Sequence, residues 1–323
     1  MAKRVVAVLR GGVGDEHEVS LKSGATVLKE LGFRGDTNTR DIFVDRAGAW
    51  FVRGIEKTPE RALIGVDVVW NALHGTYGED GTVQRVLDRT GIPYTGSGAY
   101  ASALAMNKDI AKRVMEDRGI KTPRSMVVRV SPDLSRSVLE CFRTFPQPSV
   151  VKPLDSGSSV GVTVARSFSE LEEGVRLAFQ HSSQVLIEEF IRGREATCGV
   201  VEGLRGERHY ALPAVEIIPA SGVPFFDYNA KYGGDTLERV PGNFSKEEHR
   251  ALQEAARTAH AALGLRHYSR SDFIVSPKGV FFLETNTLPG LTEASLLPKA
   301  LSAVGISAGM FMEHILDLAE RSG

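Results

Sequence analysis

Two apolar runs separated by a turn make up the stretch SRSDFIVSPKGVFFLETN, residues 269–286. The first run contains Asp272, the second leads into Glu284 and Asn286, and a Pro-Lys-Gly turn separates them. A hairpin through this turn brings the three side chains together. Mg²⁺ prefers hard oxygen ligands shared with substrate phosphate. The stretch therefore predicts two strands that end at Asp272 and Glu284 and hold Mg²⁺, and the alternative is three solvated residues on a surface hairpin.

Strands and helices alternate through the first third of the chain. Apolar β-rich runs at 5–9 and 66–73 alternate with helical patterns at 18–31 and 82–90. Gly32 and Gly91 follow the two helical patterns and are typical of helix C-termini. The pattern predicts an α/β fold with a mostly parallel sheet covered on both faces.

The rest of the chain has a more mixed pattern. Helices are predicted at 107–118, 169–178 and 246–263, and strands at 126–130, 149–152, 160–165 and 185–189. A chain of 323 residues is too long for one hydrophobic core. We therefore predict two or three domains with boundaries near residues 107 and 190.

A strand, a lysine and a run of small residues follow one another in VVKPLDSGSSVG, residues 150–161. The backbone amides of small residues can approach a phosphate closely, and Lys152 adds positive charge. Lys108, at the start of a predicted helix, is a second candidate phosphate contact. The segment lacks the order of a Walker A motif. The alternatives are a Gly/Ser hairpin turn and a solvated lysine.

Two further segments have the character of nucleotide contacts. An apolar strand leads into a polar turn in VLIEEFIRGRE, residues 185–195. Its extended backbone can hydrogen-bond to the edge of an adenine, and one of its carboxylates can accept from the ribose hydroxyls. The alternative is a buried strand with exposed acidic residues. The aromatic loop FFDYNAKYGG (225–234) has a glycine hinge and is typical of a lid that excludes water, or else of a static surface loop.

Composition excludes several classes of protein. The net charge of -1 gives no general attraction for nucleic acid or anionic membrane. Cys141 and Cys198 lie far apart without metal-binding spacing, which predicts two reduced thiols rather than a zinc site. The N-terminal apolar run is too short for a signal peptide, and no apolar stretch is long enough to span a membrane. We expect a soluble cytoplasmic protein without nucleic-acid or membrane partners.

In this order, the segments resemble the D-alanine-D-alanine ligases of the ATP-grasp superfamily over nearly the whole chain. Further motifs carry the same resemblance: GG at 11–12 with EHEVSL at 16–21, ALHG at 72–75 with GEDG at 78–81, PYTGSG at 93–98, and NTLPGLT at 286–292. Seven motifs in sequence order make a chance similarity remote.

The resemblance implies a three-domain ATP-grasp fold. Residues 1–107 would form an α/β domain with a parallel sheet and part of the D-alanine pocket, 108–190 the central ATP-grasp domain, and 191–323 the C-terminal ATP-grasp domain with the lid and the metal site. It also implies ATP and Mg²⁺ as cofactors, with two ions that Mn²⁺ can replace, D-alanine as substrate, and a homodimer.

Site residues carry over by matching positions. The implied magnesium ligands are Asp272, Glu284 and Asn286. The implied ATP contacts are Lys108, Lys152, Ser158, Glu188, Glu189, Ile191, Glu195 and Lys231. The implied catalytic residues are Glu16, Ser158, Tyr232, Arg270 and Gly290. The implied D-alanine pocket contains Glu16, His74, Ser295 and Leu296.

In the implied reaction, the carboxylate of one D-alanine attacks the γ-phosphate of ATP, and the amine of a second D-alanine then displaces phosphate. Arg270 and the backbone amide of Gly290 would stabilise the oxyanion, and Glu16 would anchor the ammonium group. Tyr232 and Ser158 would join Glu16 when the lid closes. The chain departs from the common pattern at Ser269, Phe226 and Thr285, and none of these is a ligand.

Two other functions fit parts of this pattern. Another ATP-grasp carboxylate-amine ligase would share the ATP residues, but the pocket set Glu16, Tyr232 and Ser295 favours D-alanine. A nucleotide-binding regulatory protein without turnover would have no need for Arg270 beside the predicted metal ligands.

The residue at position 232 predicts the choice of second substrate. In the resembled family a tyrosine there accompanies dipeptide formation and a phenylalanine accompanies D-lactate. We expect Tyr232→Phe to raise the ratio of D-alanyl-D-lactate to D-alanyl-D-alanine, measured by mass spectrometry with both acceptors present. An unchanged product ratio would contradict this assignment.

Overall fold

The computed structural model describes residues 3–157, 161–219 and 236–321. The strands are β1 Arg4–Gly11, β2 Thr37–Val44, β3 Trp50–Val52, β4 Ile55–Lys57, β5 Val68–Asn71, β6 Ser125–Arg129, β7 Ser149–Pro153, β8 Thr163–Ala165, β9 Gln184–Glu189, β10 Arg194–Glu202, β11 His209–Ala211, β12 Val215–Ile218, β13 Leu237–Arg239, β14 Tyr268–Ser276 and β15 Gly279–Asn286. The helices are α1 His17–Gly32, α2 Pro59–Ala62, α3 Thr82–Thr90, α4 Ala99–Met106, α5 Lys108–Glu116, α6 Leu134–Thr144, α7 Phe168–Ala178, α8 Lys246–Ala262, α9 Leu296–Ala303 and α10 Ala308–Arg321.

The first sheet has the strand order β4-β3-β2-β1-β5. β1 is parallel to both β2 and β5, which confirms the predicted parallel sheet, while β3 and β4 extend it as antiparallel edge strands. Alternate residues of β1 enter different cores: Val6 and Val8 one, Ala7 and Leu9 the other. Both faces of this sheet are therefore buried, as the alternation of strands and helices in the sequence predicted.

Two antiparallel sheets form the rest of the protein. One has the order β6-β9-β7-β8 and packs against α6 and α7. The other has the order β13-β12-β10-β14-β15, with β11 beside β10, and packs against α8. The chain passes from one sheet to the other between Glu189 and Arg194, close to the predicted boundary near residue 190.

Two helices pack against a different sheet from the one in their predicted domain. α10 lies against α1 and β5, and its Phe311 shares a core with Trp70 of the first sheet. α5 contacts β15 and α8, so Met115 belongs to the core of the third sheet. These contacts join segments far apart in the chain.

Local signals located the helix ends well. α3 spans the predicted residues and ends at Gly91, whose φ of 68° is left-handed. Asn107 caps α5 by accepting from the backbone N–H of Ile110. α1 is an exception, because Gly32 is its last residue and Phe33 is its C-cap, whereas the prediction placed the cap at Gly32.

The predicted hairpin is present, but the prediction that its first strand ends at Asp272 is wrong. β14 continues through Asp272 to Ser276 before the chain turns into β15. Cys141 and Cys198 are free and buried. In the part of the chain that the structure describes, no single helix is long and apolar enough to cross a membrane; α9 and α10 satisfy length and composition only as a pair bent by 102°.

Candidate active site

The hairpin register sets the polar face of the candidate site. Asp272 pairs with Glu284, and Arg270 pairs with Asn286, across β14 and β15. Between these pairs, Ser271 and Thr285 hydrogen-bond through their hydroxyls at 2.7 Å on the opposite face. The pleat therefore places one cation, two carboxylates and an amide together on one side of the hairpin.

Arg270 is held rigidly against Asp272. Its Nε and Nη2 each donate to one carboxylate oxygen at 3.0 Å, and the side chain is buried. Thr197 on β10 donates to Asp272 Oδ1 at 2.6 Å. Burial lowers the pKa of Arg270, but Asp272 and Glu284 outweigh it, so the pKa is raised and the guanidinium stays charged.

Lys108 approaches the hairpin from the start of α5. Its Nζ lies 3.4 Å from Glu284 Oε2 and donates to the backbone carbonyl of Ser156 at 2.5 Å. Ser156 belongs to the small-residue loop after β7, so Lys108 connects that loop to the hairpin carboxylates. The structure thus brings two of the predicted phosphate elements to the predicted magnesium ligands.

Glu188 of β9 forms ion pairs with two lysines, Lys152 of β7 and Lys112 of α5. Lys152 Nζ lies 2.6 Å from one carboxylate oxygen and Lys112 Nζ lies 2.5 Å from the other, and all three side chains are buried. Burial raises the pKa of Glu188, but the two lysines outweigh it and hold the pKa below its usual value. Burial lowers the pKa of Lys112, whereas Glu188 holds the pKa of Lys152 above its usual value despite burial.

One cleft between the second and third sheets is lined by Lys108, Lys152, Arg270, Asp272 and Glu284. The cleft contains about 1240 Å³ of empty space, its open mouth included, and Glu189, Ile191 and Glu195 lie along it. Glu188 also lines the cleft, and both oxygens of its carboxylate contact lysines. Apolar side chains such as Val150, Val164 and Leu283 complete the walls. A space of this size with polar groups at one end fits a nucleotide-sized ligand.

A smaller cavity continues from the cleft toward the first sheet. Lys108, Ser156, Gly157 and Glu284 border both spaces, and Glu16 borders the smaller one. A Cβ built on Gly75 would lie 2.3 Å from Glu16 Oε2, and one on Gly157 would lie 2.8 Å from it. The Glu16 carboxylate therefore lies directly against both backbones, and Gly75, with a φ of 65°, has the left-handed conformation that favours glycine.

Glu79 ties the first sheet to the segment after β15. One of its oxygens accepts from the backbone N–H of Gly75 at 3.1 Å, and the other from those of Thr287 and Leu288, both at 3.1 Å. Desolvation, with the charge of Glu16, raises the pKa of Glu79 to about 7. This buried carboxylate spans two parts of the cavity wall.

The remaining pocket residues lie around the same segment. His74 Nε2 contacts Ser23 Oγ at 2.8 Å, and Ser23 Oγ accepts from the backbone N–H of Leu291 at 3.3 Å. Burial lowers the pKa of His74, which favours the neutral imidazole. Ser295 is the residue immediately before α9, and its Oγ lies where a side chain at Gly290 would collide. Leu296 begins α9 and lines the main cleft.

Three predicted residues, Ser158, Lys231 and Tyr232, lie outside the described residues, as does the predicted lid at 225–234. The other predicted residues border the two connected spaces or, for His74, Gly290 and Ser295, lie beside the segment that walls the smaller one.

Sequence reasoning missed Lys112 and gave Glu79 no role of its own. Lys112 lies one helical turn after Lys108, and this i, i+4 spacing on α5 was a usable signal that both lysines share a face. Glu79 lay inside a quoted motif, but its partners Thr287 and Leu288 are more than 200 residues away in the chain. Nothing in the local pattern could supply that contact.

The ion-pair triad predicts a large stability effect. Glu188→Gln removes the carboxylate that directly contacts the buried Lys112 and Lys152, so we expect a loss of about 3–5 kcal/mol in the free energy of unfolding, measured by urea denaturation. Glu172→Gln is the matched control, because Glu172 pairs with Arg176 on the exposed face of α7. Equal midpoints for the two variants would contradict the prediction.

Glu79 predicts a pH dependence of stability. Its folded pKa of about 7 lies above the usual value of 4.5, so its contribution to stability is present in acid and is lost as the pH rises through about 7. Melting temperatures measured from about pH 5 to about pH 8 should fall more for the wild type than for Glu79→Gln. Parallel curves would show that Glu79 does not titrate in this range.

The sequence of the chain matches two family models and several known proteins. Residues 114–317 match the family described as D-ala D-ala ligase C-terminus, and residues 53–97 match D-ala D-ala ligase N-terminus. The D-alanine--D-alanine ligase of Gloeobacter violaceus is 42% identical over 317 residues, covering 97% of this chain and 98% of that protein. That of Syntrophotalea carbinolica is 40% identical, covering 98% of this chain and 96% of that protein.

Solved structures of similar fold include ligases of the same kind. The VanG D-Ala:D-Ser ligase from Enterococcus faecalis is 30% identical with a TM-score of 0.84, covering 98% of this chain and 99% of that chain. The D-alanyl-alanine synthetase A from Vibrio cholerae is 26% identical with a TM-score of 0.86, covering 99% of each chain. On sequence and fold together, the chain belongs to the D-alanine-D-alanine ligase family.

Proposed function

We propose that this protein joins two D-alanine molecules to D-alanyl-D-alanine, with conversion of ATP to ADP and phosphate, for peptidoglycan precursor synthesis. One observation carries the proposal. A nucleotide-sized cleft with Lys108, Lys152 and Arg270 at its polar end opens into a second, smaller cavity that ends at Glu16. A phosphate donor and a small amino acid can therefore meet at the hairpin.

The nucleotide would occupy the larger space. Lys108 and Lys152 are placed to contact its phosphates, because both ammonium groups lie at the polar end of the cleft. Glu188, Glu189 and Ile191 are assigned to the adenine border, and Glu195 to the ribose. The contacts of Glu188 with two lysines support a role in positioning Lys152 beside that border.

Asp272, Glu284 and Asn286 would hold Mg²⁺, and the donor set fits a hard cation. Two carboxylates paired across one hairpin, with the Asn286 amide next to Glu284 along β15, give oxygen ligands on a rigid support. An ion held by these residues would supply the positive charge that neutralises the phosphates. Two ions, and replacement by Mn²⁺, belong to this proposal.

The first D-alanine would bind in the smaller cavity. Glu16 would accept from its ammonium group, with His74 nearby, and so direct its carboxylate toward the γ-phosphate. A carboxylate oxygen forms a bond to phosphorus as ADP leaves, which gives an acyl phosphate. Arg270, with the backbone amide of Gly290, would stabilise the negative charge that develops.

The second D-alanine would contact Ser295 and Leu296 at the start of α9. Its amine forms the peptide bond to the acyl carbon, phosphate leaves with the bonding electrons, and the nitrogen loses its extra protons. Ser158, Lys231 and Tyr232 are assigned to closure over this intermediate. Positioning supplies most of the rate, because the reaction requires little covalent chemistry from the protein.

The larger organisation is part of the same proposal. The three domains would be residues 1–107, 108–190 and 191–323, and the protein would act as a cytoplasmic homodimer. The family resemblance supports these assignments.

The decisive experiment incubates purified protein with MgATP and either D-alanine, L-alanine, D-alanine with D-lactate, or D-alanine with D-serine. Phosphate release is followed and products are identified by mass. We expect D-alanyl-D-alanine and equimolar phosphate with D-alanine, and neither with L-alanine. No turnover with D-alanine from protein that binds ATP would overturn the proposal.

Arg270→Lys tests the residue at the centre of the site. Lysine cannot make the bidentate contact that holds Arg270 against Asp272, so we expect kcat to fall by about 10²–10³. Arg176→Lys, on an exposed ion pair of α7, is the control and should keep full activity. Equal kcat values for the two variants would exclude the proposed role of Arg270.

A further inference from the structure

Glu202, His209 and His260 form a cluster that the proposed reaction does not use. Glu202 ends β10, His209 begins β11, and His260 lies in the last turn of α8. Glu202 Oε1 lies 3.8 Å from His209 Nε2 and 3.5 Å from His260 Nε2. One ligand atom from each residue lies within 4.8 Å of the other two.

His260 is buried with one ring nitrogen unsatisfied. Its side chain is fully inaccessible, and its Nδ1 contacts Ser269 Oγ at 2.8 Å. Its Nε2 has no hydrogen-bond partner among the residues that the structure describes, although Glu202 is near. The nearest charged group is Glu202 Oε1 at 3.5 Å, too long for a strong hydrogen bond, so an ion placed between the two atoms would satisfy both of them.

The neighbouring contacts orient the cluster for a ligand. Glu202 Oε2 accepts from the backbone N–H of His267 at 2.6 Å, which directs Oε1 toward the histidines. In metal-binding histidines the ring nitrogen that does not bind the metal is usually held by a second polar group, and the contact of His260 Nδ1 with Ser269 Oγ leaves Nε2 for an ion. The side chains of Glu202 and His209 are 25% and 17% exposed, so an ion can reach the cluster.

We propose that Glu202 Oε1, His209 Nε2 and His260 Nε2 bind one divalent transition-metal ion of the zinc class, with water as the fourth ligand. Zinc–ligand bonds of about 2.0–2.1 Å place tetrahedral ligand atoms about 3.3 Å apart. The two measured distances to Glu202 therefore need to shorten by only a few tenths of an ångström. Two imidazoles and one carboxylate form a donor set that suits zinc better than magnesium.

The proposed metal site lies far from the cleft and close to the first sheet. Residues 195 and 202 lie at opposite ends of β10, which separates the cluster from the cleft by about 23 Å along the strand. His314 of α10 contacts the backbone carbonyl of Glu202 at 2.6 Å, and His267 Nδ1 accepts from the backbone N–H of Gly96 at 3.0 Å. A bound ion would therefore stabilise the contact between the third sheet and the first.

The test uses the full chain, freed of metal by chelation and held in excess Mg²⁺ without nucleotide, so that the hairpin carboxylates are occupied. Co²⁺ is titrated and followed by visible absorption, and Zn²⁺ is titrated and followed by melting temperature. We expect one Co²⁺ per chain with a tetrahedral spectrum, and a melting temperature that rises with Zn²⁺.

His209→Gln and Glu202→Gln should each weaken binding about tenfold or more. His249→Gln is the matched control, because His249 is also half-buried and contacts a backbone carbonyl. It should bind like the wild type, and His209→Gln should keep the wild-type ligation rate without transition metal. A wild type that gives no tetrahedral Co²⁺ spectrum, or one whose affinity equals that of His209→Gln, overturns the proposal.

Discussion

The register between β14 and β15 is the constraint on which the candidate site depends. Asp272 pairs with Glu284, but the next pair is Phe273 with Phe282, so Leu283 is an extra residue in β15. This bulge lets Leu283 and Glu284 both line the cleft while Phe282 remains in the core. A slip by one residue would exchange the faces and bury the carboxylates. The packing of Phe273 and Phe282 therefore fixes where the charged groups point.

The candidate site also depends on the balance between its buried cations and carboxylates. Lys108, Lys152 and Arg270 are all buried, and each has an acidic partner: Glu284, Glu188 and Asp272. A buried cation without a partner is costly, so these acids hold the cations in place when no phosphate is bound. Lys112 adds a second cation to Glu188, which lets the Glu188 carboxylate satisfy two lysines at once. The site is thus electrostatically organised before any ligand enters it.

Long-range contacts then fix the first sheet relative to the hairpin. Glu79 accepts from the backbone that follows β15, and α10 covers the first sheet with Phe311 against Trp70. Because Glu16 lies against Gly75 and Gly157, it is held between the first sheet and the small-residue loop. These contacts place Glu16 in the same cavity wall as Lys108 and Glu284. A cavity with these walls can hold a small amino acid between an anionic and a cationic end.

The sequence by itself determined the features whose signals are local. Alternation of strand and helix patterns identified the parallel sheet, Gly91 marked a helix end, and the Pro-Lys-Gly turn predicted the hairpin with its oxygen ligands. The motifs in order also indicated the family, because each motif is short and keeps its spacing. Tertiary structure alone decided which distant segments meet. The pairing of Lys112 with Glu188, the reach of Glu79 to Thr287, the return of α10 to the first sheet and the cluster at His260 depend on burial and contacts between remote residues, and these leave no periodic signal in the chain.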